Sequence, residues 1–391
     1  MTSSASRDSR LGPREPLSVC LDDSPVLGGL SRGIRDLSAA VGGRILSLDS
    51  GRLAPSRDDA ACRLTRVQQG RGILASRHLE LSHAVRNSLD DAIAASGLVV
   101  CHSLYRAHVP FIRARCLRHG IPYWIVAHGM LDPWVVSRRT AWKRAWLEVY
   151  GRRCLSDAAH VLFSTGAELA KAMPWCDARN ALVIPWPVDA VATTDRAACR
   201  SAVRGRLGLP PESRIMLSLS RYDSLKRPLH TVAAFAGARA TGWHLVMTGY
   251  DGDVPRATVM AEADRLGPDR IHVLGSVEGE AKRELLVGSD AFVSLSWREN
   301  FGYALAEAAM AGLPFVAAPD HDLTHDMPQP CRRWIAADHS PPAAVRAIED
   351  LMATEPRILE AIGTSGRVWA GTALSRSTFE TTVRDTMAAF L

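Results

Sequence analysis

The sequence predicts an α/β protein built of two doubly wound parallel sheets. Three observations lead there. Apolar runs of five to seven residues alternate with helical patterns from one end to the other, the mark of βαβ units. The runs form two series, separated by a charged, turn-rich stretch around Pro185–Pro187 and Pro210–Pro211. The chain has 391 residues, 47% of them hydrophobic and 23% charged, which is too long for one ordinary core and is composed like a globular protein.

Taken in order, the first series of expected strands is LSVCLDD (17–23), GRILSLD (43–49), LVVCHSL (98–104), YWIVAHG (123–129), HVLFST (160–165) and ALVIPW (181–186). The second is IMLSLS (215–220), HLVMTG (244–249), IHVLGS (271–276), AFVSLS (291–296) and PFVAA (314–318). A hinge is expected near residues 187–212. The polar N-terminus, MTSSASRDSRLGPREP, reads as disordered and has no apolar signal core. No uninterrupted apolar run is long enough to span a membrane, so the expected location is the cytoplasm. The eight cysteines show no CxxC pair or regular spacing, which points to reduced thiols and away from a disulfide frame or a zinc site.

The net charge of +6 is uneven. Residues 101–160 carry ten Arg/Lys against three Asp/Glu, a net of +7, and such a surface suits an anionic partner. No nucleic-acid-binding motif accompanies it, so nucleic acid is not expected.

In parallel sheets ligands collect beyond the carboxyl ends of the strands. In the second series those ends are rich in chemistry. IMLSLS runs into RYDSLK, with Arg221 and Lys226; HLVMTG into YDGD; IHVLG into SVEGE; and AFVSLS into WRENFG. Asn300-Phe301-Gly302 reads as the turn into a helix that ends near Ala311, with Gly312 and Pro314 as stop signals. The amides at that helix start, with the positive dipole end, suit phosphate, and Gly302 lets backbone approach closely. Glu299 falls in the loop above the strand. Glu307 falls inside the helix among alanines, either as an exposed surface carboxylate or as a packed one whose charge needs donors such as ribose hydroxyls.

The spacing E-x7-E around NFG, the following AGLP and strand, and the upstream strand-Arg-x4-Lys resemble glycosyltransferase family 4, a group of retaining, nucleotide-sugar-dependent enzymes. The resemblance covers nearly the whole second half and is seen earlier in Gly28-Gly29-Leu30 and in IPYWIVAHGMLDPW (121–134). It implies the GT-B arrangement, two Rossmann-like domains facing a cleft. The expected division is a first domain over 17–190, a nucleotide-sugar domain over 191–376, and a last helix over 377–391 packing back on the first. It implies that Arg221 and Lys226 neutralise the donor diphosphate, and that the amides of Asn300, Phe301, Gly302 and Tyr303, with Gly28 and Gly29, hold phosphate and sugar. Glu299 would meet the sugar hydroxyls, Glu307 the ribose, the backbone near Val277 the base, and His128 the transferred sugar. The catalytic set so implied is His128, Arg221, Lys226 and Glu299. No metal or other cofactor is expected, because fixed cations and amides can take the leaving charge. The expected activity is sugar transfer to a glycan or lipid-linked hydroxyl acceptor in cell-surface polysaccharide or glycolipid synthesis. A sugar-nucleotide epimerase and a non-catalytic nucleotide-sugar-binding protein are the alternatives. Two departures from the family pattern, Asn300 after the first Glu and Pro-Trp-Pro-Val-Asp at the hinge, bear on donor choice.

Other features are read as structural. Asp251-Gly252-Asp253 matches the metal-binding DxD but stands where a turn is expected. His321-Asp322 and His325-Asp326 have metal-ligand spacing inside a Pro- and Asp-rich loop, and His102 ends a strand as a local hydrogen-bonding group. In SRRTAWKRAWLEVYGRR (137–153), Trp142, Ala145, Trp146, Val149 and Tyr150 keep helical spacing beside Arg139, Lys143, Arg152 and Arg153. That is a domain helix with a buried stripe or a peripheral helix at the inner membrane face.

Overall fold

The computed structural model describes residues 14–23, 28–48, 63–68, 79–138, 140–239 and 241–388. Residues 1–13 of the stretch expected to be disordered, and Arg139, lie outside them. The chain divides into two compact units. The first is Met1–Ser164, Glu168–Trp186 and Phe379–Leu391; the second is Thr165–Ala167 and Pro187–Thr378.

The first unit holds β1 (Leu17–Cys20), β2 (Arg44–Ser47), β3 (Leu64–Arg66), β4 (Val99–His102), β5 (Tyr123–Val126), β6 (His160–Phe163) and β7 (Ala181–Val183). They form one parallel sheet in the order β3-β2-β1-β4-β5-β6-β7. Every residue of β1, β4 and β5 is buried, as strands covered on both faces by crossover helices must be. Local signals set the helices. Ser82 accepts a hydrogen bond from the amide of Val85 at the start of His83–Ala94, and Gly120 ends His108–His119 in the left-handed region.

The second unit holds β8 (Arg214–Leu219), β9 (Trp243–Thr248), β10 (Ile271–Leu274), β11 (Ala291–Ser294), β12 (Phe315–Ala317) and β13 (Trp334–Ile335). This sheet is also parallel, in the order β10-β9-β8-β11-β12-β13. Phe235, Phe292 and Phe315 are fully buried around it. Each sheet therefore reverses direction once, between β1 and β4 in the first and between β8 and β11 in the second. In open parallel sheets the carboxyl edge at such a reversal point is where ligands collect.

Three expectations need correction. The stretch 187–212, read as hinge because of its charge and prolines, contains the helix Arg196–Arg206, whose Cys199, Val203 and Arg204 are buried while Arg206 is exposed. The short strands β3 and β13 add an edge to each sheet beyond the runs expected.

The segment 137–153 is not one helix with a buried stripe. It runs as a short helix Thr140–Trp146, a π-helical turn Leu147–Gly151 and a helix Arg152–Ser156. Trp146 and Leu147 are buried, but Trp142, Val149 and Tyr150 are 41%, 57% and 48% exposed. The wider π turn shifts the frame, so Val149 and Tyr150 within it leave the buried face, which Cys154 and Leu155 rejoin after it. Among the described residues no helix is long and apolar enough to cross a membrane.

Candidate functional site

In the second unit the loops after β8 and β11 meet at the reversal point. The β8 loop turns tightly: the Lys226 amide donates to the Asp223 carbonyl at 3.0 Å and to its Oδ1 at 2.9 Å, and Arg227 takes a left-handed φ of 54° before the helix Pro228–Gly237. A non-glycine residue held there costs about 1–3 kcal/mol and usually marks a site that other contacts enforce. Arg221 Nη2 lies 3.0 Å from Asp223 Oδ2. The Trp297 amide donates to the Leu225 carbonyl at 2.7 Å and so ties the β11 loop to this turn.

Glu299 is fixed on both sides. Its amide donates to the Asp320 carbonyl at 3.0 Å, and its carbonyl accepts from the Asp322 amide at 2.9 Å. These bonds lock its backbone to the loop after β12. Its carboxylate pairs with the Lys226 ammonium. Burial alone would raise this carboxyl, yet Lys226, His321 and hydrogen bonds from Lys226 and Ser296 hold it below the usual range. Gly302, at φ 74°, then opens the helix Tyr303–Met310. Asn300 and Phe301 lead into that turn, and the helix starts at the carboxyl edge of the sheet.

Glu307 is 8% exposed, so the surface reading of this residue is wrong. Part of its charge is met within the protein. Lys282, on the helix Gly279–Gly288, places its Nζ 2.6 Å from Glu307 Oε2. Val277 is half-buried in the loop between β10 and that helix. Arg221 and Lys226, expected as cations awaiting a diphosphate, each already hold a carboxylate.

Sequence reasoning missed Lys282 and set His321 aside as a weak metal candidate. His321 is 1% exposed and lies directly beneath Gly302; burial lowers its imidazole to about 4, against Glu299, which would raise it. The signal was available, since His321 follows β12 as Glu299 follows β11. Asp251 and Asp253 are occupied as turn residues: Asp251 Oδ1 accepts from the Arg256 amide at 2.5 Å, and Asp253 accepts from the Ser224 amide and hydroxyl at 2.6 and 2.8 Å. Among the described residues no group of three or more His, Cys, Asp or Glu could hold a metal ion.

The first unit has its own cluster at the reversal point of its sheet. Gly28, at φ 59°, opens the helix Gly29–Ala40 after β1. His102 closes β4, and its Nδ1 lies 2.9 Å from Nε2 of His128 after β5. The His128 ring also stacks on Trp186, with centroids 5.7 Å apart and planes at 13°, and Trp186 packs on Phe379. Gly33 lets Trp186 lie close, since a Cβ there would meet its ring at 3.2 Å. Ser103, Tyr105 and His128 all have positive φ, at 78°, 59° and 49°. The buried Glu168 accepts the Gly129 amide at 2.7 Å and the Ser164 amide at 2.7 Å, which holds the His128 turn from the β6 side.

Residues 200–369 match the family model of the glycosyl transferases group 1. Over 139 residues the chain is 33% identical to a D-inositol 3-phosphate glycosyltransferase of Xylanimonas cellulosilytica, covering 34% of this chain and 31% of that one. Over 109 residues it is 32% identical to a GDP-mannose:cellobiosyl-diphosphopolyprenol alpha-mannosyltransferase of Xanthomonas oryzae, covering 27% and 29%. The match thus spans about a third of the length of these curated relatives. The structure of Anabaena Alr3699/HepE in complex with UDP and glucose superposes with a TM-score of 0.75 at 15% identity, over 96% of this chain and 100% of that one. WaaG, a glycosyltransferase involved in lipopolysaccharide biosynthesis, superposes with a TM-score of 0.70 at 17% identity, over 95% and 99%. At such identities the likeness is one of fold: two parallel-sheet α/β domains of the GT-B kind.

Proposed function

We propose that this chain, whose second unit carries a glycosyl transferases group 1 domain, moves a sugar from a nucleotide-sugar donor to a hydroxyl acceptor with retention of anomeric configuration. The observation that carries the reading is the convergence at the β8/β11 reversal of Arg221, Lys226, Glu299 and the start of the helix Tyr303–Met310, with Glu307 buried one turn further in. In this reading the diphosphate sits over the helix amides between Arg221 and Lys226. Its negative charge grows as the sugar leaves, and these groups stand ready for that charge without metal. Lys226 gains a second anionic partner on donor binding, which frees one face of Glu299 for the sugar hydroxyls. Glu307, steadied by Lys282, takes the ribose. Val277 borders the base. In the first unit, Gly28 and Gly29 are assigned to phosphate and sugar, and His128 to the transferred sugar.

The acceptor we assign is a glycan or lipid-linked hydroxyl, as in cell-surface polysaccharide or glycolipid synthesis. One matched relative is named for a diphosphopolyprenol acceptor. The exposed Trp142, Val149 and Tyr150, among the basic residues of 138–153, support peripheral contact with an anionic membrane face. The matched relatives are transferases, which does not favour the epimerase.

A thermal-shift screen with UDP, GDP, ADP and their sugars tests the donor site. A ligand at 100 times its Kd adds about 2.7 kcal/mol of stability, a readily measured shift. No shift with any of them would sink the assignment. Vesicle co-sedimentation tests the membrane contact: the chain should follow anionic vesicles, and Trp142→Ala with Tyr150→Ala should release it.

A further inference from the structure

His102 is fully buried, and its Nε2 has no hydrogen-bond partner among the described residues. Its other nitrogen, Nδ1, faces Nε2 of His128 across 2.9 Å, with the two ring planes only 22° apart. An N–H of either ring would therefore point close to the plane of the other's lone pair. One proton lies between these two nitrogens, since a neutral imidazole donates from one nitrogen and accepts at the other. Burial lowers the basicity of both rings, that of His128 to about 3, so neither is an imidazolium near neutrality.

Two arrangements remain. If His128 donates, His102 must carry its own proton on Nε2, leaving a buried N–H with nothing to accept it. If His102 donates from Nδ1, the stranded atom is a bare lone pair. Buried N–H groups without acceptors are the rarer of the two in folded proteins. We infer that His102 is a positioning residue: its Nδ1–H holds His128 in the tautomer protonated on Nδ1, so that His128 presents a neutral N–H donor to a ligand oxygen.

The surroundings fit a part held in one orientation. His128 is half-buried, its ring lies against Trp186, and Glu168 fixes the next amide. A neutral donor suits an uncharged oxygen such as a sugar hydroxyl. The ligand class rests on the sugar contact assigned to His128 above.

The test is the tautomer itself, read from the 15N chemical shifts of the His128 ring at neutral pH in the full chain. We expect Nδ1–H in the parent protein. In His102→Asn an amide N–H can stand in for Nδ1–H, so the tautomer and most of the turnover should be kept. His102→Asp offers only an acceptor, so His128 should switch to Nε2–H and turnover should fall about ten- to a hundredfold, the usual cost of losing an outer-shell partner. If His102→Asp fails to fold, the parent and His102→Asn spectra still decide the matter. Nε2–H or imidazolium on His128 in the parent would overturn the inference. Full turnover in His128→Ala would instead overturn the sugar contact beneath it, with the parent tautomer unaffected as a measurement.

Discussion

Replacing Gly302 with alanine adds one methyl group at the point where three loops of the second sheet converge. A Cβ there would meet His321 Cε1 at 2.2 Å, Glu299 Cγ at 2.8 Å and His321 Nε2 at 2.9 Å. None of these atoms yields easily. The Glu299 backbone is bonded to both Asp320 and Asp322, and His321 is buried between them. The backbone at φ 74° costs an L-residue about 1–2 kcal/mol on its own. Forcing a methyl group into a filled space costs about 1–3 kcal/mol more. The expected loss is therefore about 2–5 kcal/mol, or about 4–20 °C in the melting of a unit of this size. Calorimetry on Gly302→Ala, His321→Ala and the double variant separates the two terms. Removing the ring relieves the two His321 contacts but neither the Glu299 contact nor the backbone strain, so the double variant should be about 1–2 kcal/mol better than the sum of the singles. Nucleotide-induced stabilisation should be weakened in Gly302→Ala, because the same turn presents the helix amides. A Gly302→Ala protein that melts with the parent and binds nucleotide as well as the parent would refute the reasoning.

Three further outcomes are expected. Lys226→Ala should lower kcat by about 10²–10³, as loss of a preorganised electrostatic partner does, whereas Glu307→Ala and Lys282→Ala should mainly raise the donor KM; the reverse pattern in steady-state kinetics would mean the roles are exchanged. Activity should survive EDTA, and loss with rescue by manganese would instead make ligands of Asp251 and Asp253. Stability should depend on pH through His321. Its folded value of about 4 lies below the ordinary 6.5, so the unfolded chain binds the proton first, and stability falls as pH drops from 6.5 towards 4. That fall amounts to about 3 kcal/mol at most, and the melting temperature of His321→Gln should decline less steeply over the same range.

The strands were legible because parallel strands buried on both faces read as continuous apolar runs, and YWIV or WHLVMT admits few other readings. β3 and β13 were not, being edge pieces of three and two residues, LTR and WI, too short to show a strand pattern. Glu299, Gly302 and Glu307 were legible through their spacing along one strand-turn-helix unit. Their protein partners were not. Lys226 meets Glu299, and Lys282 meets Glu307, only because β8 lies beside β11 and the helix after β10 passes near Tyr303–Met310. Strand order is a property of the folded sheet that no local pattern in the chain records.

The segment 137–153 shows a different limit. Reading Trp142, Ala145, Trp146, Val149 and Tyr150 as one stripe assumes that every turn of the helix is an α-turn, advancing about 100° per residue. One π turn at Leu147–Gly151 breaks that assumption. A Cβ on Gly151 would sit 2.8 Å from Leu147 Cδ2 and 3.1 Å from Trp146 Cζ3, so a side chain there would displace the Leu147 methyl and press on the Trp146 ring. Trp146 and Leu147 then remain in the core while Val149 and Tyr150 face outward. Gly151→Ala should therefore disturb the packing of Trp146 and the outward aromatic face together. Trp fluorescence and vesicle binding should change in the same variant. A shift in one with no change in the other would show that the π turn and the exposed face are independent.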